Sequence, residues 1–186
     1  MLYIERIIMD CISALYQNIG ISFLLTLIIL FLYQSIQSRK ISIKEFIVDF
    51  KNKHSRKRMY LLLSITFVMQ YTLLIRNGNH EPLQNIVGPF ILLDLQKGYF
   101  SVETIENIIL FVPFGICLKN FNITYGFKKI LLSAFAFSLC IETSQLVFKL
   151  GTFQFSDLYY NTIGGLLGYL IVIVYRYAYK RNFKIN

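Results

Sequence analysis

The sequence predicts an all-α polytopic membrane bundle of about five transmembrane helices, N-terminus out and C-terminus in. Three observations lead there: an oily composition, five apolar runs of spanning length, and basic residues that fall on alternate sides of those runs. Of 186 residues 55% are hydrophobic and 16% aromatic, more than an ordinary soluble domain of this size carries. A chain of this length holds one bundle with short connections and no second domain of the usual size. The expected location is the cell (plasma) membrane, crossed several times.

The first segment, residues 1–17, places Ile4, Ile7, Ile8, Cys11, Ile12 and Leu15 at helical spacing with Glu5, Arg6 and Asp10 between them. That pattern predicts an interfacial amphipathic helix leading into the first span. With no clearly basic leader and no small-x-small site after the apolar run, it does not read as a cleaved signal. Residues 18–75 supply the first two spans, Asn18–Ile36 and Met59–Ile75, each near the length that crosses about 30 Å of hydrocarbon at about 1.5 Å per residue. Between them Ile43, Phe46, Ile47 and Phe50 repeat the helical spacing among basic residues. This stretch is either a second surface helix held to anionic headgroups or a solvated loop.

Residues 76–104 form the longest connection, read as extracytoplasmic. Its "NIVGPFILLDL" sets Gly88 and Pro89, which interrupt a helix, before the apolar run Phe90 to Leu93. A loop dipping into the outer leaflet and a loop packed on the bundle both satisfy that. Residues 105–179 make a three-helix core with spans Ile105–Phe121, Ile130–Leu150 and Leu158–Tyr177, and residues 180–186 are a basic tail.

Orientation follows from the basic residues. The first-to-second connection, the third-to-fourth connection and the tail hold 15 of the 19 Lys and Arg residues, so those sides are expected to be cytoplasmic. The net charge of +9 then reads as an orientation and anionic-lipid signal, with no nucleic-acid partner expected. Trp is absent, which leaves Tyr to mark the interfaces. Cys11, Cys117 and Cys140 lack paired spacing and histidine neighbours. They are expected to be reduced helix residues, and neither a metal nor a cofactor is implied.

The polar residues inside the core are the candidate site. In "FSDLYYNTIGGLLG", Asp157, Asn161, Gly164, Gly165 and Gly168 share one helix face. Gly164 and Gly168 form a small-xxx-small pair that admits another backbone. Asp157 has a bland alternative: behind Ser156 as N-cap, an acid in the first turn complements the helix dipole. Glu142 lies within the fourth span, with Gln145 three residues on. A carboxylate there costs about 2.5–3.5 kcal/mol, so it is expected to face protein or a wet cavity. It is either functional or a protonated, hydrogen-bonded structural group. In the third span Asn107 lies one turn from the outer boundary, and Pro113 frees the carbonyl of Ile109. Together they are expected to make a polar notch, although Pro and Asn also occur in membrane helices for packing alone. By topology Asn107, Glu142, Gln145, Asp157 and Asn161 all fall in the outward-facing half. They are expected to line an outward-open polar pocket where three helices meet.

At these residues the chain resembles the VanZ-like family of small membrane proteins. The resemblance rests on "NIILFVPFG" with Asn107, Pro113 and Gly115, on "ETSQ" with Glu142 and Gln145, and on "SDLYYNTIGGLLGYL" with Asp157, Asn161, Gly164 and Gly165. "NIVGPF" with Pro89 and Phe90 is similar to that family's Asn-x-x-Pro-Phe element with one added residue. The match runs over about residues 82–175 and leaves the first two spans out. Where many such sequences continue Phe-Asp-x-Asp-Asp, this one reads Phe153, Gln154, Phe155, Ser156, Asp157. One acid of three remains, which weakens a multi-acid or divalent-metal role. The resemblance implies a cell-envelope protein that in some members lowers susceptibility to teicoplanin-type glycopeptides. It supplies no mechanism.

Three function classes compete. A binding or interaction protein would hold or perturb a lipid-linked cell-wall precursor, a lipid-tailed glycopeptide or another membrane lipid in the polar pocket. A membrane-embedded enzyme would use Glu142 as acid or base with Asp157 polarising it. Yet no nucleophile-base pair stands out, and neither His54 nor His80 falls in a span. A transporter subunit would want polar groups through the full depth or inverted repeats, and the sequence has neither. Binding is the expected class, with no catalytic residue assigned and the oligomeric state open.

Overall fold

The computed structural model describes residues 2–38, 42–49, 51–75, 86–88, 93–94, 99–100 and 102–183. Six α-helices follow in order: α1 (Leu2–Ser38), α2 (Ile43–Asp49), α3 (Lys53–Gln70), α4 (Val102–Phe121), α5 (Phe127–Phe148) and α6 (Phe155–Phe183). A π-helical turn, Tyr71–Ile75, prolongs α3. A two-residue antiparallel ladder joins β1 (Leu93–Asp94) to β2 (Tyr99–Phe100), with Leu93 opposite Phe100. The molecule is an all-α polytopic bundle, and among the described residues four helical stretches are long and apolar enough to cross a membrane: Ile19–Gln37, Thr104–Phe121, Phe127–Phe148 and Phe155–Arg181.

The remaining predicted span, Met59–Ile75, is the apolar part of α3 and its π turn. Its first turns carry Lys53, Arg56, Lys57 and Arg58, which shortens the hydrocarbon-compatible stretch. Asn52 starts α3, its side chain accepting from the His54 amide at 2.9 Å. No break separates the predicted interfacial segment from the first span. α1 runs uninterrupted for 37 residues, about 55 Å at about 1.5 Å per residue. Of the two readings of the stretch after the first span, helix or solvated loop, residues 43–49 form the helix α2. Pro89 and Phe90, and with them the question of a membrane-dipping loop, lie outside the described residues.

Four pairings set the bundle, and in one of them α3 packs antiparallel on α4, with His54 of α3 against Phe121 of α4. α1 and α3 run antiparallel, tied by Ser22 Oγ donating to Gln70 Oε1 at 2.7 Å and by the Thr26 and Thr66 hydroxyls at 2.9 Å. α4 and α6 run parallel, with Asn107 beside Asp157 and Gly115 against Gly165. α5 runs antiparallel to α6, so that Ser138 meets Asn161 and Ala134 meets Gly165. Phe111, fully buried, packs against Phe114 and Phe137, and Val68, Leu110, Leu118, Ile130 and Ile141 complete the core around it. The outer faces keep large apolar side chains such as Leu24, Ile28, Leu132, Ile171 and Val174 exposed, as a hydrocarbon solvent permits.

The glycines decide how closely α4 and α6 approach. A methyl group at Gly164 would collide with the Ile108 carbonyl, one at Gly168 with the Val112 carbonyl, and one at Gly115 with the Gly165 carbonyl. Gly165 makes room for Ala134 of α5, since a Cβ there would lie 2.7 Å from the alanine methyl. The small-residue stripe on α6 therefore seats α4 and α5 at once.

Candidate functional site

The buried polar groups of the core collect where α4 and α6 begin and α5 ends. Asn107, Glu142, Gln145, Asp157 and Asn161 are each 5% exposed or less. Asn107 Nδ2 donates to Asp157 Oδ1 at 2.7 Å, joining α4 to α6 across 50 residues of sequence. One turn deeper Asn161 Nδ2 donates to Ser138 Oγ at 2.9 Å, joining α6 to α5. The same antiparallel register sets Glu142 level with Asp157.

Glu142 caps a helix other than its own. Its Oε2 accepts from the backbone amide of Gln154 at 2.9 Å, immediately before α6. The next two amides, of Phe155 and Ser156, donate to the carbonyls of Ile86 at 2.9 Å and Val87 at 3.1 Å. Orphan donors at the start of α6 are thus satisfied by a carboxylate from α5 and by the backbone of 86–87. The dipole of α6 favours the Glu142 charge at that position. Ser156 is accordingly no N-cap: it lies inside the first turn, its hydroxyl buried against Gly88. Gly88 has φ 68°, and a Cβ there would strike Ser156 Oγ. Both the backbone angle and the space demand glycine at this point of "NIVGPF".

Gln145 turns to a fourth helix. Its Nε2 donates to the Thr72 carbonyl at 3.1 Å, within the π turn, where the ordinary i→i+4 ladder is interrupted. Beyond it α5 ends on Lys149, left-handed at φ 54°, whose amide returns to the Gln145 carbonyl. Three polar atoms in this region are buried without a hydrogen-bond partner: Gln145 Oε1, Ser156 Oγ and Asn161 Oδ1.

The expected notch at Pro113 does not join this cluster. Pro113 and Ile109 are exposed while Asn107 is buried. Two residues along a helix is about 200° of rotation, so the carbonyl freed by the proline belongs to the outer face of α4. The cluster is also more closed than an open pocket, because its side chains bond to one another's helices and the 86–88 backbone lies over the start of α6. Among the described residues no three His, Cys, Asp or Glu side chains assemble as a metal set. The two carboxylates stand among amides and hydroxyls, an arrangement suited to hydrogen-bonding a polar group. An apolar groove of 530 Å³ runs along the outside of the same two helices, lined by Leu131, Phe135 and Leu139 of α5 and by Phe155, Leu158 and Thr162 of α6.

Several participants escaped sequence reasoning. Ser138 lies one turn before Glu142, a spacing that could have pointed to it, whereas Thr72 contributes a backbone atom that no side-chain pattern signals. The Ser22, Thr26, Thr66 and Gln70 ladder has a recognisable i, i+4 spacing on each helix. Lys119, counted with the third-to-fourth loop, is in fact buried within α4, where its Nζ donates to the carbonyls of Ile123 at 2.6 Å and Tyr125 at 2.7 Å.

Comparison with known proteins extends the resemblance over the first two spans, which the sequence motifs had left out. The family model described as VanZ/LLP1 matches residues 19–176. Protein VanZ of Enterococcus faecium is 37% identical over 113 residues, 58% of this chain and 63% of that protein. The matched stretch thus spans less than two thirds of that relative. No solved structure matches.

Proposed function

The chain belongs to the VanZ/LLP1 family, and from that premise we propose that it is a cell-envelope membrane protein that lowers susceptibility to teicoplanin-type glycopeptides. In this reading the basic connections face the cytoplasm and the polar end of the three-helix core faces outward. There it binds, or alters the seating of, a lipid-linked or lipid-tailed molecule.

The observation that supports this is the set of unpartnered buried atoms, Gln145 Oε1, Ser156 Oγ and Asn161 Oδ1. A buried acceptor left unpaired costs about 1–3 kcal/mol, and a ligand hydroxyl or amide donor would recover that. The apolar groove on the same helices offers an acyl chain a place beside the polar end. An amphiphile is satisfied at head and tail together.

The test is expression of the protein, and of Glu142→Gln at equal abundance, in a susceptible Gram-positive host, with inhibition by teicoplanin and vancomycin compared. The expected result is a higher inhibitory concentration for the lipid-tailed teicoplanin alone, reduced by the substitution. No change for either drug with the native protein would overturn the reading.

A further inference from the structure

The opposite, basic end of the bundle contains a polar cavity that the reading above does not use. It measures 340 Å³ and opens between α1, α2 and α3, with Tyr33, Gln34, Phe46, Asp49, Ser55 and Arg58 among its walls. Its level in the membrane is set by sequence. The apolar span of α1 ends at Gln37, and Arg58 is the last charged residue before the apolar run of α3 begins at Met59. Both put the cavity where hydrocarbon gives way to headgroups.

Arg58 is held there with its hydrogen-bonding capacity largely unspent. Its Nε is buried and has no partner, its Nη2 makes one long bond of 3.4 Å to Ser55 Oγ, and its guanidinium lies 5.5 Å from the centre of the Tyr33 ring. A guanidinium offers five donors in a planar fork that matches phosphate oxygens. Asp49 stands on the other side of Ser55, accepting its hydroxyl at Oδ1 over 2.8 Å. The cavity thus presents a cation with free donors and, one hydroxyl away, a carboxylate with a free acceptor. Phe46 meets Phe31 edge to face at 5.4 Å, fixing α2 against α1 as an apolar wall. Lys44, Lys51, Lys53 and Arg56 are exposed nearby and bias the surroundings toward anions.

We propose that this cavity holds the headgroup of an anionic membrane phospholipid, its phosphate on Arg58 and a headgroup hydroxyl on Asp49. A free phosphate ester offers the same polar chemistry, but the cavity lies at the edge of the spans and has an aromatic wall. Those features suit the glycerol backbone and the first carbons of an acyl chain.

The probes are phosphatidylglycerol, phosphatidylmethanol and phosphatidylcholine, offered in equal amounts to detergent-solubilised protein, with retained lipid read by native mass spectrometry. Phosphatidylmethanol carries the same charge as phosphatidylglycerol and lacks the outer hydroxyls. Native protein is expected to retain phosphatidylglycerol over phosphatidylcholine by about tenfold, equivalent to about 1.4 kcal/mol, and over phosphatidylmethanol by a smaller factor. Arg58→Gln should abolish the first preference while the exposed-site control Arg56→Gln keeps it. Asp49→Asn should erase only the second preference, and it decides the matter if Arg58→Gln fails to fold by circular dichroism. Equal loss in the Arg56 and Arg58 variants would reduce the cavity to a generally basic surface. Displacement of the lipid by millimolar glycerol phosphate would make a soluble ester the ligand. Either result overturns the proposal.

Discussion

Replacing Gly115 by Ala probes how the three-helix core is closed. The added methyl would run into the Gly165 carbonyl oxygen, with the carbonyl carbon at 2.8 Å and Cα at 3.0 Å. All three atoms are helix backbone and cannot rotate aside. Restoring an ordinary contact of about 3.5 Å to that oxygen requires α4 and α6 to part by at least about 1 Å. A gap of that size forfeits about a quarter to a half of the attraction at each contact it opens. It also stretches the Asn107–Asp157 bond from 2.7 Å past the range of a hydrogen bond. Overpacking of this kind costs about 1–3 kcal/mol, and a hydrogen bond between membrane helices adds about 0.6 kcal/mol. Alanine returns at most about 1 kcal/mol of helix propensity. The expected loss is therefore about 0.6–2.6 kcal/mol once the propensity gain is subtracted. Reversible unfolding by sodium dodecyl sulfate in mixed micelles, followed by circular dichroism, measures it. Gly20→Ala on α1, where nothing lies within 4 Å, is the control and should be neutral or slightly stabilising. Equal stability of the two variants would refute the close-packing argument.

Three further outcomes follow from the same geometry. In a double-mutant cycle Asn107→Ala and Asp157→Ala should cost less together than separately, with coupling of about 0.5–2 kcal/mol by the same titration. Glu142→Gln keeps an oxygen for the Gln154 amide and should stay within about 1 kcal/mol of native stability, whereas Glu142→Leu strands that amide at about 1–3 kcal/mol. This difference separates loss of charge from loss of fold in the antibiotic assay. Gly88→Ala forces a side chain into a left-handed position, at about 1–2 kcal/mol, and against Ser156 Oγ. Hydrogen exchange at the Phe155 and Ser156 amides should accelerate about tenfold, 1.4 kcal/mol being a factor of ten.

The candidate site shows that the fold makes helix termini interdependent. α6 does not supply its own N-cap, and instead its first donors are met by Glu142 from α5 and by the 86–87 carbonyls. The start of α6 can therefore form fully only when α5 and the preceding connection are in place. This gives "ETSQ" and "NIVGPF" a shared physical role, which is to hold one helix end.

What the sequence determined by itself was the kind of element and which residues share a face. Apolar length marked four of the five predicted spans, because backbone polar groups must be satisfied within the hydrocarbon, and helical period placed Asp157, Asn161 and the glycines on one side of α6. Periodicity is local, however, and it carries no information about which neighbour a face will meet. Only tertiary packing decided that Asn107 reaches Asp157, that Gln145 reaches across to the Thr72 carbonyl, and that Pro113 turns outward. Likewise, the i, i+4 spacing of Ser22 with Thr26 and of Thr66 with Gln70 marks a polar face on each helix, and only packing pairs the two faces. The physical reason is that a side chain's direction follows from about 3.6 residues per turn, while its partner depends on backbones brought together across tens of residues by glycine contacts and buried apolar area.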